Sequence, residues 1–206
     1  PEGEAQAGGT FTVGTNEEPD TLNPYLTQLV TGSDITTGVM DTLMRYDSTQ
    51  ALIPPLATEF SVSDDGLTYT FTLREGVKFH NGDAFGPQDV IDTWTMIMNP
   101  DFAAFSTLGW DKITELTSPD EKTVVMVTNE VLAPFVSYVG ADPSSAISPV
   151  SELAAGPEKF KSDFGRTKLI GTGPVKFTAW TPKQQITLDK NAGYWGEAPK
   201  LDQVIV

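Results

Sequence analysis

Asp65-Gly66-Leu67-Thr68-Tyr69-Thr70-Phe71-Thr72-Leu73-Arg74-Glu75-Gly76-Val77-Lys78-Phe79-His80-Asn81-Gly82-Asp83 is the stretch on which the reading of this chain turns. Its first half alternates, with Leu67, Tyr69, Phe71 and Leu73 separated by threonines. A period of two puts every second side chain on one face of a strand, so 67–73 is predicted to bury one face. Residues 58–63 alternate in the same way just upstream. Asp64-Asp65-Gly66 lies between them, with the glycine free to take φ > 0, and the whole predicts a β-hairpin.

Downstream of this stretch the period changes. Pro87 is suited to the first turn of a helix carrying Val90, Ile91, Trp94, Ile97 and Met98, which Asn99-Pro100 stops. A second hairpin is predicted from 112–117 and 123–128 around Ser118-Pro119-Asp120-Glu121. Short helices follow at 132–139, despite Pro134, and at 151–164, interrupted at Gly156-Pro157. Residues 175–181 and 184–190 form a third hairpin, and 201–206 begins another strand. Upstream, 10–14 reads as a strand. Residues 15–20 read as a turn-rich loop, and Ser33 or Asp34 is expected to cap a helix carrying Ile35, Val39, Leu43 and Met44. Residues 1–9 read as a flexible leader of the kind left behind a removed export signal. A chain that ends inside an apolar strand is expected to be part of a longer protein.

Composition narrows the function classes. The 206 residues carry 28 acids against 13 Lys and Arg, a net charge of −15, and seven acids precede the first basic residue, Arg45. Such a chain repels a phosphate backbone, which argues against nucleic acid as a partner. With no cysteine, disulfides, thiolate metal sites and cysteine nucleophiles are all excluded. No apolar run reaches the roughly 18 residues that a spanning helix needs. The opening Pro1-Glu2-Gly3-Glu4 fits a cytosolic chain or a mature exported one.

Catalytic constellations are thin. The single histidine, His80, sits after a strand among Asn-Gly turn residues, where a structural role competes with that of a general base. One histidine without cysteine cannot build the usual structural zinc site. Gly171-Thr172-Gly173-Pro174 lacks the Gly-Lys-Ser/Thr of a phosphate loop. No cofactor and no metal are expected. Phe105-Ser106-Thr107-Leu108-Gly109-Trp110 has no clear period and is flanked by turns, so its aromatics either wall a ligand pocket or belong to the core.

Three stretches together resemble one family. They are Asp20-Thr21-Leu22-Asn23-Pro24; Leu56-Ala57-Thr58-Glu59-Phe60 with the long motif above and Asp89-Val90; and Gly171-Thr172-Gly173-Pro174 with Asn191-Ala192-Gly193-Tyr194-Trp195-Gly196 and Leu201-Asp202-Gln203-Val204. The pattern is similar to that of the bacterial extracellular solute-binding proteins of family 5, the peptide- and nickel-binding components of ABC importers. It departs from that pattern at Gly86-Pro87, where an alanine is usual, and at Val175, where an aromatic is usual.

The resemblance implies an α/β fold: the first lobe of a type II periplasmic-binding-protein-like architecture, with a mixed β-sheet, flanking helices and an inserted α+β subdomain. Residues 10–44 plus 170–206 would form a discontinuous first-lobe subdomain, incomplete at its C-terminus, and 45–169 the insertion. It implies a monomeric binding protein without catalysis, on the periplasmic or extracellular side of the membrane, lipid-anchored or free. Its partners would be a small-molecule or peptide ligand, an oligopeptide or dipeptide first, and ABC permease subunits. An oligosaccharide or chelated metal is the alternative ligand, and a hydrolase using His80 the alternative class. The expected ligand contacts are Thr27, Gln28, Leu29 and Val30, in the loop after the Asn-Pro motif, with Phe105, Thr107 and Trp110.

Overall fold

The computed structural model describes residues 7–206. Residues 1–6 of the expected leader lie outside the described residues. The leader's last residues are tethered, because Gly8 N donates to Lys200 O (2.6 Å) and Gly9 N to the Asp202 carboxylate (3.0 Å).

Strands β1 (Thr10–Thr12), β8 (Val175–Thr181), β9 (Gln185–Lys190) and β10 (Gln203–Ile205) form one sheet in the order β1-β10-β9-β8. β1 runs parallel to β10, and the other two pairings are antiparallel. The sheet is therefore mixed, and it joins residues from the two ends of the described chain. Helix α1 (Val30–Val39) packs against β8, where Val175 reaches over the bare Cα of Gly38. A branched side chain in place of the family's aromatic thus meets a helix that has made room for it.

The second four-stranded sheet is wholly antiparallel and local. It comprises β4 (Ala57–Val62), β5 (Thr68–Leu73), β6 (Ile113–Asp120) and β7 (Thr123–Thr128), in the order β4-β5-β7-β6. A two-stranded ribbon, β2 (Arg45–Tyr46) and β3 (Leu52–Ile53), lies between the two sheets in sequence. The predicted alternation is realised. Tyr69, Phe71 and Leu73 of β5 and Val124, Met126 and Thr128 of β7 are buried, with Tyr69 opposite Met126 and Phe71 opposite Val124. At the β4–β5 turn the Asp65 carboxylate accepts from Ser63 Oγ (2.6 Å) and Leu67 N (3.1 Å), while Gly66 has φ 74°. Pro119 falls within β6, on the sheet's edge beside a register shift, where its missing N–H interrupts little.

Helix α2 (Pro87–Met98) covers this sheet, with Pro87 in its first turn and Asn99 closing it. Trp94 sets its ring edge-on against Phe71 (6.0 Å) and Trp110 (5.6 Å). Asp89 caps the helix by accepting from Gly86 N (2.9 Å). It also accepts from Val150 N (2.8 Å), fixing the start of α3 (Val150–Leu153), which is followed by α4 (Pro157–Asp163).

Two expectations are corrected. Helix α1 starts at Val30 rather than after Ser33 or Asp34, and it ends at Val39, leaving the buried Leu43 and Met44 beyond it. Its end is set from outside: Gly173 N takes the carbonyl of Val39 (3.0 Å), which a continuing helix would need. Gly171 and Gly173 have no left-handed φ. They are glycines because a Cβ on either would strike the backbone of residues 38–40. The helix expected at 132–139 is instead a π turn at Ser137–Ala141, with Phe135 and Val139 buried. Among the described residues no helix is long and apolar enough to cross a membrane.

Candidate functional site

The Asn23-Pro24 motif builds a tight turn. Asn23 accepts Tyr25 N on its side chain (3.1 Å), and Leu26 N and Thr27 N on its carbonyl (3.1 and 3.0 Å). Tyr25 is then driven into the core, with no exposed surface. Its hydroxyl donates to Ala146 O (2.6 Å), with Ser148 Oγ at 2.8 Å, and its ring packs near Phe102 and Phe160. Burial pushes its phenol well above the usual range, so it stays neutral. The carbonyl of this pinned residue accepts Phe105 N–H at 2.8 Å. The loop leading into α1 and the irregular segment at 105–110 are thereby joined, although about 80 residues separate them.

The two halves of the expected contact set present different surfaces. Val30 is 70 % exposed and Phe105 59 %; Gln28 and Thr107 are exposed, and Leu29 is half-buried at the N-cap of α1. Thr27 is buried, and its hydroxyl is spent on Asp20 Oδ1 (2.7 Å), so the expected polar contact from Thr27 is committed within the chain. Trp110 is corrected outright as a wall residue. It is only 2 % exposed, packed against Trp94, in a turn that Gly109 opens at φ 86°. Leu108, 61 % exposed, is the apolar side chain that segment offers instead. The aperiodic segment gave the only signal for it.

The N–H groups of Val30 and Thr31, in the first turn of α1, find no acceptor among the described residues. The face thus combines exposed apolar side chains with free backbone donors and the Gln28 amide.

His80 is placed elsewhere. Its Nδ1 faces Gly171 N–H (3.3 Å) and its Nε2 faces Gly173 O (2.9 Å), so the tautomer protonated on Nε2 satisfies both. Burial, with Lys176 nearby, lowers its pKa to about 4. Asp83 is engaged by Ser151 Oγ (2.5 Å) and Asn81, and Asp89 by backbone amides. Among the described residues no carboxylate orients the ring, so they do not assemble the hydrolase constellation. Among the described residues no group of three or more His, Asp or Glu could hold a metal.

Two larger concavities lie apart from this face. One of about 590 Å³ runs between α2 and α3–α4, lined by Met96, Met98, Val150, Leu153 and Phe160 among others. The other, about 530 Å³, lies at the carboxyl ends of the parallel pair β1 and β10, between residues 12–19 and the β8–β9 turn.

A sequence profile described as "Bacterial extracellular solute-binding proteins, family 5 Middle" matches residues 51–206. Protein XP55 of Streptomyces lividans is 31 % identical over 97 % of this chain and 35 % of its own length. Di/tripeptide-binding protein 1 of Pseudomonas aeruginosa is 34 % identical over 86 % of this chain and 37 % of its own. The oligopeptide-binding protein AppA of Bacillus subtilis, solved with a nonapeptide, superposes with a TM-score of 0.90 at 27 % identity, covering 97 % of this chain and 40 % of that one. The chain spans little more than a third of the length of these curated relatives, and the family is one of substrate-binding proteins rather than enzymes. With its motifs, its mixed sheet and this profile in agreement, the chain belongs to the bacterial extracellular solute-binding proteins of family 5.

Proposed function

We propose that this chain forms most of the first lobe of an extracytoplasmic binding protein that captures an oligopeptide or dipeptide and hands it to an ABC permease. The observation that supports this reading is the Phe105 N–H to Tyr25 O bond, which ties the 105–110 segment to the turn that leads into the Gln28–Val30 loop. Residues 10–44 with 170–206 act as one subdomain and 45–169 as an insertion, a division that the two separate four-stranded sheets support.

The chemistry of the face suits a peptide. Val30, Phe105 and Leu108 offer apolar contact to side chains of varied shape, while free backbone N–H groups match a ligand's carbonyls or carboxylate whatever its sequence. The relatives named for di- and tripeptides and for oligopeptides favour the same class. A single face leaves its ligand wet on one side. Tight binding therefore needs a second lobe to close over it by a hinge motion. The protein would act as a monomer on the outer side of the membrane, lipid-anchored or free.

Mass spectrometry of whatever copurifies with the intact protein tests the reading. Short peptides are the expected result; an oligosaccharide or a metal chelate would replace the peptide assignment.

A further inference from the structure

Asp20 lies one turn before the ligand loop and gathers three donors from that region. Its Oδ1 accepts Thr21 N (2.9 Å) and Thr27 Oγ1 (2.7 Å), and its Oδ2 accepts Gln28 N (3.0 Å). The link continues, because Thr27 Oγ1 in turn accepts Leu29 N–H at 3.4 Å, and Leu29 is the N-cap of α1. Thr27 is closed in from the other side by Gly32, where any Cβ would collide with the threonine hydroxyl and with Thr21 O. Side-chain capping is absent at the start of α1. Besides the backbone bonds of Thr27 N to Asn23 O and of Gly32 N and Ser33 N to Leu29 O, the loop at 27–29 is held by this one carboxylate outside the helix.

We propose that Asp20 is the positioning residue of the ligand-binding face: it does not touch ligand, but fixes Thr27, Gln28 and Leu29 so that Gln28, Val30 and the first-turn N–H groups are presented already ordered. This rests on the assignment of the 27–30 loop as a ligand surface. Both oxygens of Asp20 already accept donors from the loop, Thr27 Oγ1 on one and Gln28 N on the other. Burial alone would raise its pKa, but the donors from Thr27, Gln28 and Thr21 outweigh that and hold it below the usual carboxylate range, so the clamp stays charged. A loop fixed before binding spares the ligand the entropy of ordering it, and that saving appears as affinity.

The test uses Asp20→Ala, Thr27→Val and their double variant in the intact protein. Amide hydrogen exchange without ligand is the first arm: the Gln28 and Leu29 amides should exchange at least about tenfold faster in Asp20→Ala, with β5 and β7 unchanged. Unchanged exchange at Gln28 and Leu29 overturns the proposal without reference to any ligand. The second arm is calorimetric titration with trialanine. Asp20→Ala and Thr27→Val should each weaken binding about tenfold, and the double variant should be little worse than either, since both cut one link. The melting temperature should hardly move. A lowered melting temperature with unaltered affinity per folded molecule would make Asp20 merely structural and overturn the proposal. Failure of the wild type to bind trialanine would count against the peptide reading, while the exchange arm still decides the role of Asp20.

Discussion

In the sheet of residues 57–128, every second residue of β5 and β7 is buried. In the mixed sheet only β9 buries side chains to that degree, through Ile186 and Leu188, while β1 is exposed along its whole length. The first sheet carries its own cover, since α2 and the Trp94–Trp110 pair come from the same stretch of chain. The mixed sheet draws on distant segments and has α1 on β8 as its nearest helix. The contrast teaches where stability and function are divided. The local sheet supplies the alternating part of a core that also takes in Leu22, Tyr25, Ile35, Ile186 and Leu188, and the candidate 27–30 loop leaves from the less covered part, where a side chain can be lost at little cost.

The strongest break in that comparison is Trp110→Ala. Removing this buried ring should destabilise the protein by about 3–5 kcal/mol, seen as a large fall in the melting temperature without ligand. An unchanged melt would mean that the local sheet is not the anchor.

Next in size is His80, whose ring bonds Gly171 and Gly173 and so joins the two sheets' segments. Its folded pKa of about 4 lies below the ordinary 6.5, so between those values the unfolded chain binds more protons. Stability should be lost as pH falls from about 6.5 towards 4, by up to about 3 kcal/mol, and His80 adds no slope above that window. Buried Asp41, held by Thr172 Oγ1 and Trp195 Nε1, has a raised pKa and opposes this trend. The decisive measurement is thus the difference in denaturant stability between wild type and His80→Gln across pH 4–7. A difference that does not change with pH would show that the ring is not held neutral.

Gly171→Ala should cost about 1–3 kcal/mol, because its Cβ meets the backbone of residues 39–40. Gly193→Ala, with only an ordinary contact near its Cβ, should stay within about 0.5 kcal/mol. Equal chemical-denaturation midpoints for the two would remove the close approach as the reason for the glycine.

The smallest stability effect sharpens the contrast. Phe105→Ala should change the melt by less than about 0.5 kcal/mol while weakening ligand binding by about 1–3 kcal/mol. Melting curves with and without ligand check both. A large loss of stability would put Phe105 in the core beside Trp110.

The three hairpins and α2 were legible because alternation, helical spacing and turn residues are local signals. β8 spans the expected 175–181, and α2 starts at Pro87 and stops at Asn99 as its sequence demands. The end of α1 was not legible, since it depends on Gly173, more than 130 residues away, taking the carbonyl of Val39. In the candidate face, the segment containing Phe105 could be singled out by its lack of period. Nothing local distinguishes its ends, however: Phe105 is exposed and Trp110 buried because Trp94 and Gly109 turn the indole inward. Thr27 read as a free hydroxyl because its partner, Asp20, is recognised only once the turn at Asn23 folds back.

The parallel pairing of β1 with β10 matches Thr10 with Gln203, 193 positions apart. During synthesis at about 5–20 residues per second, the first strand would wait on the order of 10–40 s for the β10 strand it pairs with to exist. The hairpins of the local sheet could close long before. β1 is thus an early-made, late-docked strand, and the chain passes through a stage in which the strands β4 to β7 can pair while β1 still lacks β10.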